Sequence, residues 1–156
     1  MNVRIGIENQ QQVIKWSYNF FKTHMSLKAF KKYLMTVTNW DISLVLVNES
    51  NEIMGVYLFG DRQISMVTNT EDGVIFYADK LEKYTNLRGF EGVLLAIDES
   101  IRNNGYATQL KDTSKVIGYN YIWGLQFKTL GNLDYWLRRR ELVGETEDCY
   151  ITAQIF

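Results

Sequence analysis

Between Leu95 and Leu110 the chain reads Leu95-Ala96-Ile97-Asp98-Glu99-Ser100-Ile101-Arg102-Asn103-Asn104-Gly105-Tyr106-Ala107-Thr108-Gln109-Leu110. An apolar strand enters a polar turn, the turn carries Arg-x-x-Gly-x-Ala, and a helix opens directly behind it. The first N–H groups of a helix have no intrahelical acceptor, and the helix dipole adds partial positive charge at that end. Gly105 lacks a Cβ, so a ligand can approach its backbone closely. The chemistry this favours is anion binding, best of a pyrophosphate. A second candidate is Glu91. Even spacing puts Glu91, Val93, Leu95 and Ile97 on one face of a strand. Read from the residues alone, its carboxylate is a strand-end charge, and strand ends are commonly wet.

Other residue types that often carry chemistry lack companions. His24 is the sole histidine, and Cys149 the sole cysteine. No metal site is expected from them, and a strand-core place suits Cys149 better than a nucleophile's role. The run Arg138-Arg139-Arg140 is either a solvated helix face or an anion contact. No Gly-Lys-Ser/Thr follows Gly105, which excludes a P-loop. The late position of the motif and the missing βαβ register argue against a dinucleotide site.

These residues need a scaffold, and 156 residues with 46% hydrophobic and 22% charged content suffice for one domain, 1–156, with a buried core. A formal charge of −1 gives no global attraction to nucleic acid or membrane. The longest apolar runs, such as Ile42 to Val47, are too short to span a bilayer. The segment Met1-Asn2-Val3-Arg4-Ile5 lacks the build of a signal peptide, and a lone cysteine fits a reducing compartment. A cytoplasmic location is therefore expected.

Periodicity and caps then give the elements. Val3 to Ile7 reads as a first strand and Asn9 to Lys22 as an amphipathic helix. Ser26 caps a second helix, running through Met35 with Leu27, Phe30, Tyr33 and Leu34 at helical spacing. Ile42 to Val47 and Ile53 to Phe59 are expected to pair as antiparallel strands about a turn. Gln63 to Thr68 reads as a short strand, Thr70 to Gly73 as a turn and Val74 to Tyr84 as a short helix or irregular lid. Phe90 to Ile97 is a strand, and Tyr106 to Gly118 a helix with Leu110, Val116 and Ile117 inward. Tyr121 to Phe127 is a strand, Gly131 or Asn132 opens a helix to about Leu142, and Cys149 to Phe156 is a last strand. The fold class is mixed α/β around one sheet.

That order, with Arg-x-x-Gly-x-Ala between the fourth core strand and its helix, resembles the GNAT superfamily of N-acyltransferases. The resemblance covers most of the chain, is sharpest from Glu91 to Leu110, and is weakest near the N-terminus and from Gly60 to Gly89. It implies a mostly antiparallel, twisted central sheet flanked by helices and splayed between the fourth and fifth core strands. It also implies acetyl-CoA as cosubstrate. Amides of Asn103, Asn104, Gly105, Tyr106 and Ala107 would cradle the pyrophosphate, with Thr108 adding a hydroxyl. Arg102 would pair with phosphate or fix the loop. The edge of Leu95-Ala96-Ile97 would receive the pantetheine arm, and a backbone N–H there would polarise the thioester carbonyl.

The same resemblance gives Glu91 the place of a general base, in Glu91-Gly92-Val93-Leu94-Leu95-Ala96-Ile97. Asn132 and the run Trp136 to Val143 fill family-like places downstream. The tyrosine that protonates the leaving thiolate in relatives has no match, since that position falls near Arg138 or Arg139. Tyr135 lies one turn earlier and either serves or packs. Arg138 to Arg140 would alternatively contact the cofactor's 3′-phosphate. The implied acceptor is a primary amine on a small molecule or protein. A nucleic acid or aminoacyl-tRNA acceptor is disfavoured by the charge, although Lys28, Lys31, Lys32 and Arg138 to Arg140 offer a local patch. Gly60 to Gly89 is longer than a strand connection needs and would shape the acceptor site as a lid. A homodimer is the default assembly. The rival reading is a non-catalytic CoA-binding or interaction module on the same fold.

Overall fold

The computed structural model describes residues 1–64 and 75–156. The strands are β1 (Asn2–Ile5), β2 (Leu44–Val47), β3 (Ile53–Gly60), β4 (Ile75–Phe76), β5 (Gly89–Ile97), β6 (Tyr121–Phe127), β7 (Glu141–Glu145) and β8 (Cys149–Ile155). The helices are α1 (Gln10–Tyr18), α2 (Leu27–Val37), α3 (Ala78–Leu81), α4 (Tyr106–Ser114) and α5 (Leu133–Leu137). These residues form two compact units, 1–60 with 93–117, and 61–92 with 118–156. Strand β5 begins in the second and ends in the first.

In the first unit the strand order is β1-β2-β3-β5. β1 pairs antiparallel with β2, and β2 with β3, where a bulge falls between Leu46 and Val47. One face is covered by α1 and α2. Asn9 caps α1 by accepting from Gln12 N–H at 3.1 Å, and Ser26 Oγ caps α2 by accepting from Ala29 N–H at 3.2 Å. Their apolar stripes place Val13, Ile14, Phe30 and Leu34 in one core with Val45, Val47, Val56, Leu58, Leu94 and Ala96. Strand alternation sends Leu44 and Leu46 to the other face, where α4 packs on β2 and β3 with Leu110 fully buried. A Cβ on Gly55 would meet Ile97 Cδ1 at 2.8 Å and the Ala96 carbonyl at 3.3 Å, so β3 approaches β5 where no side chain fits.

In the second unit the order is β5-β6-β8-β7-β4. The parallel ladder of β5 with β6 matches Gly89, Phe90 and Glu91 to Tyr121, Ile122 and Trp123. It stops there, while β6 continues to Phe127 paired antiparallel with β8. The core joins Ile64, Tyr84, Tyr121, Trp123, Val143, Ile151 and Ala153. The sheet is mixed and mostly antiparallel, as the sequence implied.

Three expectations need correction. The helix opening at Asn132 ends at Leu137, not near Leu142, and Glu141–Glu145 is a strand, paired with β8 from Glu141↔Ala153 to Glu145↔Tyr150. Arg, Glu and Leu favour helix locally, but burying Val143 against Ile151 and Ala153 outweighs a few tenths of a kcal/mol of propensity. Helix α4 stops at Ser114 and passes into a 3-10 turn, so Val116, expected inward, is 74% exposed. Within the stretch read as a short helix or irregular lid, the short helix is present as α3, preceded by a strand at 75–76 on β7, and Tyr84 is a core residue. Gln63 and Ile64 are outside any strand, and the remainder of that expected strand and the turn at 70–73 lie outside the described residues.

Candidate functional site

In the first unit, β5 delivers the chain into a tightly tied bend. Asp98 N–H donates to the Met54 carbonyl at 2.8 Å, anchoring the end of β5 to β3. Asp98 Oδ1 accepts from Ser100 N–H at 3.0 Å and from Ser100 Oγ at 2.6 Å. The Ser100 hydroxyl and amide hold the Asp98 carboxyl below its ordinary range. Arg102 Nε donates back to the Ile97 carbonyl at 3.1 Å, and its guanidinium lies 5.7 Å from the Phe20 ring centre. Asn104 Nδ2 donates to the carbonyls of Ile101 and Arg102. The side chains named for the loop thus shape its backbone.

That shape is unusual at two positions. Asn103 and Gly105 have φ of 64° and 82°, in the left-handed region. Gly105 is the N-cap of α4, and a Cβ built on it meets nothing within 4 Å. The first helical bond is Gln109 N–H to the Gly105 carbonyl at 3.0 Å, so the amides before it have no acceptor inside the helix. Asn103, Asn104, Gly105 and Thr108 are exposed, and Tyr106 and Ala107 half-buried. On β5, Ala96 belongs to the core beneath α1 and α2, while Leu95 is half-buried.

In the second unit, Glu91 is no wet strand-end charge. It is 1% exposed and gripped by both ends of its carboxylate: Arg62 Nε donates to Oε2 at 3.1 Å and Arg62 Nη2 to Oε1 at 2.8 Å. Arg62 lies 5.2 Å from the Trp123 ring centre, and Trp123 Nε1 donates to the Arg62 carbonyl at 2.7 Å. Because Glu91 and Trp123 are register partners, strand pairing itself puts carboxylate and indole side by side.

Helix α5 holds the remaining candidates. Asn132 is its N-cap but makes no side-chain cap bond, and its Oδ1 is buried without a hydrogen-bond partner among the described residues. Tyr135 packs edge-on against Trp136 at 5.3 Å, with the Arg138 guanidinium 5.9 Å from its ring.

Sequence reasoning missed two groups. One is Arg62, which has no local mark, being 29 residues from its partner. The other is a buried polar cluster on β6, β8 and the start of β7. Arg140 is 7% exposed, lies 4.4 Å from the Trp136 ring centre and donates to Thr152 Oγ1 at 3.4 Å. Thr152 in turn donates to Gln126 Oε1 at 2.8 Å. Gly124 makes room for it, since a Cβ there would sit 2.9 Å from Arg140 Nη1 and 3.0 Å from the Gly92 carbonyl. Read as a solvated helix run, Arg138 to Arg140 hid this difference between its third member and the first two.

No family model and no curated protein matches the sequence. Solved structures do match its fold. A GNAT family N-acetyltransferase of Escherichia coli in complex with CoA aligns over 99% of this chain and 80% of its own, with TM-score 0.57 and 18% identity. The PaiA N-acetyltransferase of Thermoplasma acidophilum, also in complex with CoA, aligns over 100% of both chains with TM-score 0.58 and 10% identity. A GNAT family acetyltransferase of Listeria monocytogenes aligns over 99% and 94% with TM-score 0.63 and 10% identity. The chain has the GNAT fold. At these identities the shared feature is the architecture. Among the described residues no cluster of His, Cys, Asp and Glu could hold a metal, and no helix is long and apolar enough to cross a membrane.

Proposed function

We propose that this chain is an acetyl-CoA-dependent N-acetyltransferase that moves an acetyl group to a primary amine by direct attack on the thioester. The observation that carries this reading is the bend ahead of α4. Left-handed Asn103 and Gly105 set the first-turn amides of an exposed helix start beside open space. A diphosphate fits such a place, because oriented N–H groups and the helix dipole act on it together. Amides of Asn103 to Ala107 and the Thr108 hydroxyl would hold it, and Leu95, Ala96 and Ile97 would offer their strand edge. Arg102, tied to the Ile97 carbonyl and set against Phe20, is assigned to fixing the loop. Asn132 would hold the cofactor through its unsatisfied Oδ1, which seeks a donor. Bound acetyl-CoA supplies the activated acyl group and a thiolate that leaves readily.

The chain's own residues would handle the protons. An ammonium has no lone pair, so the acceptor must lose a proton before attack. Glu91 is the carboxylate for that task. Both its oxygens are on Arg62, so taking the proton means releasing one arm of the fork while the other keeps the group in place. Tyr135 is the candidate donor to the leaving thiolate. The acceptor is a small-molecule or protein amine, in a cytoplasmic and homodimeric enzyme. Calorimetric titration with acetyl-CoA, then thiol release over a panel of amines, tests the reading; absence of cofactor binding would end it.

One observation favours a second reading, a CoA-binding module without turnover. The Arg62 fork occupies the carboxylate, and Tyr135 packs against Trp136 and Arg138. Cofactor binding with no thiol release from any amine would support it.

A further inference from the structure

The first unit holds a pocket of about 650 Å³ at one end of its sheet. Val45 and Val47 of β2 and Ile53 of β3 form its floor, and the β1–α1 connection and the start of α1 form its wall. Both valines belong to the core beneath α1 and α2, whereas α4 packs on the opposite face with Leu44 and Leu46. The pocket and α4 are thus on different faces of the sheet.

Strand register puts a cation over this floor. Arg4 pairs with Val45 and Asn2 with Val47, so the Arg4 side chain shares the face of the two valines. Its guanidinium reaches the β2–β3 turn, where Nη2 donates to Asn51 Oδ1. Asn51 lines the same pocket, so the charged end of Arg4 lies at the pocket's rim. That one neutral oxygen is its only partner among the described residues, and a guanidinium has five N–H donors. Glu8 is the one carboxylate in the lining. Arg4 and Glu8 are both exposed, and among the described residues neither makes an ion pair, with the other or with a third group. The side-chain amides of Asn9 and Asn51 have N–H groups that donate to no described residue. Directed donors therefore stand around an aliphatic floor.

The kind of ligand follows from charge and shape. A guanidinium fork matches the two coplanar oxygens of a carboxylate. With one cation and one carboxylate in the lining, a monoanion fits better than a dianion, whose second charge Glu8 repels without a second cation to offset it. Half-buried Ile53 and Ile5, which is 57% exposed, give a hydrocarbon chain surface to cover. The volume lies within the roughly 300–1,000 Å³ of small-molecule sites.

We propose that this pocket binds a small aliphatic monocarboxylate at a site distinct from the bend before α4. Arg4 grips the carboxylate, the Asn51 amide adds a donor, and the carbon chain lies against Ile53 and Ile5. Glu8 limits affinity by repelling the same group. The last point fixes the sign of one experiment: neutralising Glu8 tightens an anion site and weakens a cation site.

Hexanoate is the probe, titrated into the full chain at constant ionic strength and followed by methyl NMR. The expected result is saturable one-to-one binding that shifts the methyl signals of Val45, Val47 and Ile53. Affinity falls at least tenfold in Arg4→Gln and several-fold in Arg4→Lys, which keeps the charge and loses the fork. It rises several-fold in Glu8→Gln. Hexylamine and inorganic phosphate bind at least tenfold more weakly than hexanoate. Binding persists in Gly105→Glu and in the presence of saturating CoA, which separates this pocket from the cofactor reading. Arg4 and Glu8 are surface side chains, and urea unfolding curves establish that each variant is folded. The proposal is overturned by absence of saturable binding, by unchanged affinity in Arg4→Gln, by weaker binding in Glu8→Gln, by hexylamine or phosphate binding as tightly, or by displacement with CoA.

Discussion

Replacing Arg62 by Met leaves a carboxylate that is 1% exposed without its cation. The pair is bidentate, with bonds of 3.1 and 2.8 Å, and Arg62 also covers the face of Trp123. Breaking a fully buried pair costs about 3–5 kcal/mol, because the orphaned charge keeps its desolvation cost. The Arg62 side chain is 27% exposed, so water reaches the vacated side and screens part of that cost. The expected loss is about 2–4 kcal/mol, or roughly 5–15 °C in Tm for a chain of this size. Urea denaturation and calorimetry of four proteins measure it: wild type, Arg62→Met, Glu91→Gln and the double variant. Removing the orphaned charge in the double variant should recover a good part of the loss, giving a coupling of about 1.5 kcal/mol or more. Arg62→Met within about 0.5 kcal/mol of wild type, or strictly additive substitutions, would refute the reasoning. Either result would mean that Glu91 finds its compensation elsewhere.

Gly105→Glu should lower acetyl-CoA affinity at least about a hundredfold, since a carboxylate a few ångströms from the diphosphate repels it by some kcal/mol; calorimetry checks this. Gly105→Ala isolates the backbone term: with nothing within 4 Å of the new Cβ, it should cost only about 1–2 kcal/mol of left-handed strain, read from urea midpoints. Gly124→Ala should destabilise by about 1–3 kcal/mol, because its Cβ would crowd the Gly92 carbonyl, a backbone atom that cannot swing aside. Alkaline pH should also unfold the protein. Burial pushes the Tyr84 and Tyr121 hydroxyls above the ordinary phenol value of 10.0, with Glu141 adding to the effect at Tyr84. Below that value both states keep the proton. Above it the unfolded chain loses protons that the folded one retains, so stability falls as pH rises. Tyr84→Phe should make the decline from pH 10 upward less steep in fluorescence-monitored titrations, and an unchanged slope would remove Tyr84 from the account.

Some of this architecture was legible from residues close together in the chain. The cap at Ser26, the apolar stripe of α2 and the extents of β3, β5 and β6 depend on neighbours within a few positions, and local rules found them. The bend at Asn103 to Gly105 was readable for the same reason, since a polar turn, a glycine and a helix start follow one another directly. Two features resisted. Arg138 to Val143 has helical propensity, yet pairing with β8 turned its second half into a strand and buried Arg140 beside Thr152. For Glu91 the sequence left a solvated strand end open beside the general-base reading, because the residue that grips it is 29 positions away.

The sequence by itself determined which segments are helix or strand along most of the chain, and where backbone amides would gather at the head of α4. Those choices are settled by periodicity, capping and glycine over one or two turns of chain. Only the tertiary structure decided the surroundings of the ionisable groups: the fork on Glu91, the stacked guanidinium of Arg140, the cations crowded about Glu141. Burial and partners fix how a charge behaves, and both come from segments that sequence distance keeps apart until the strands pair.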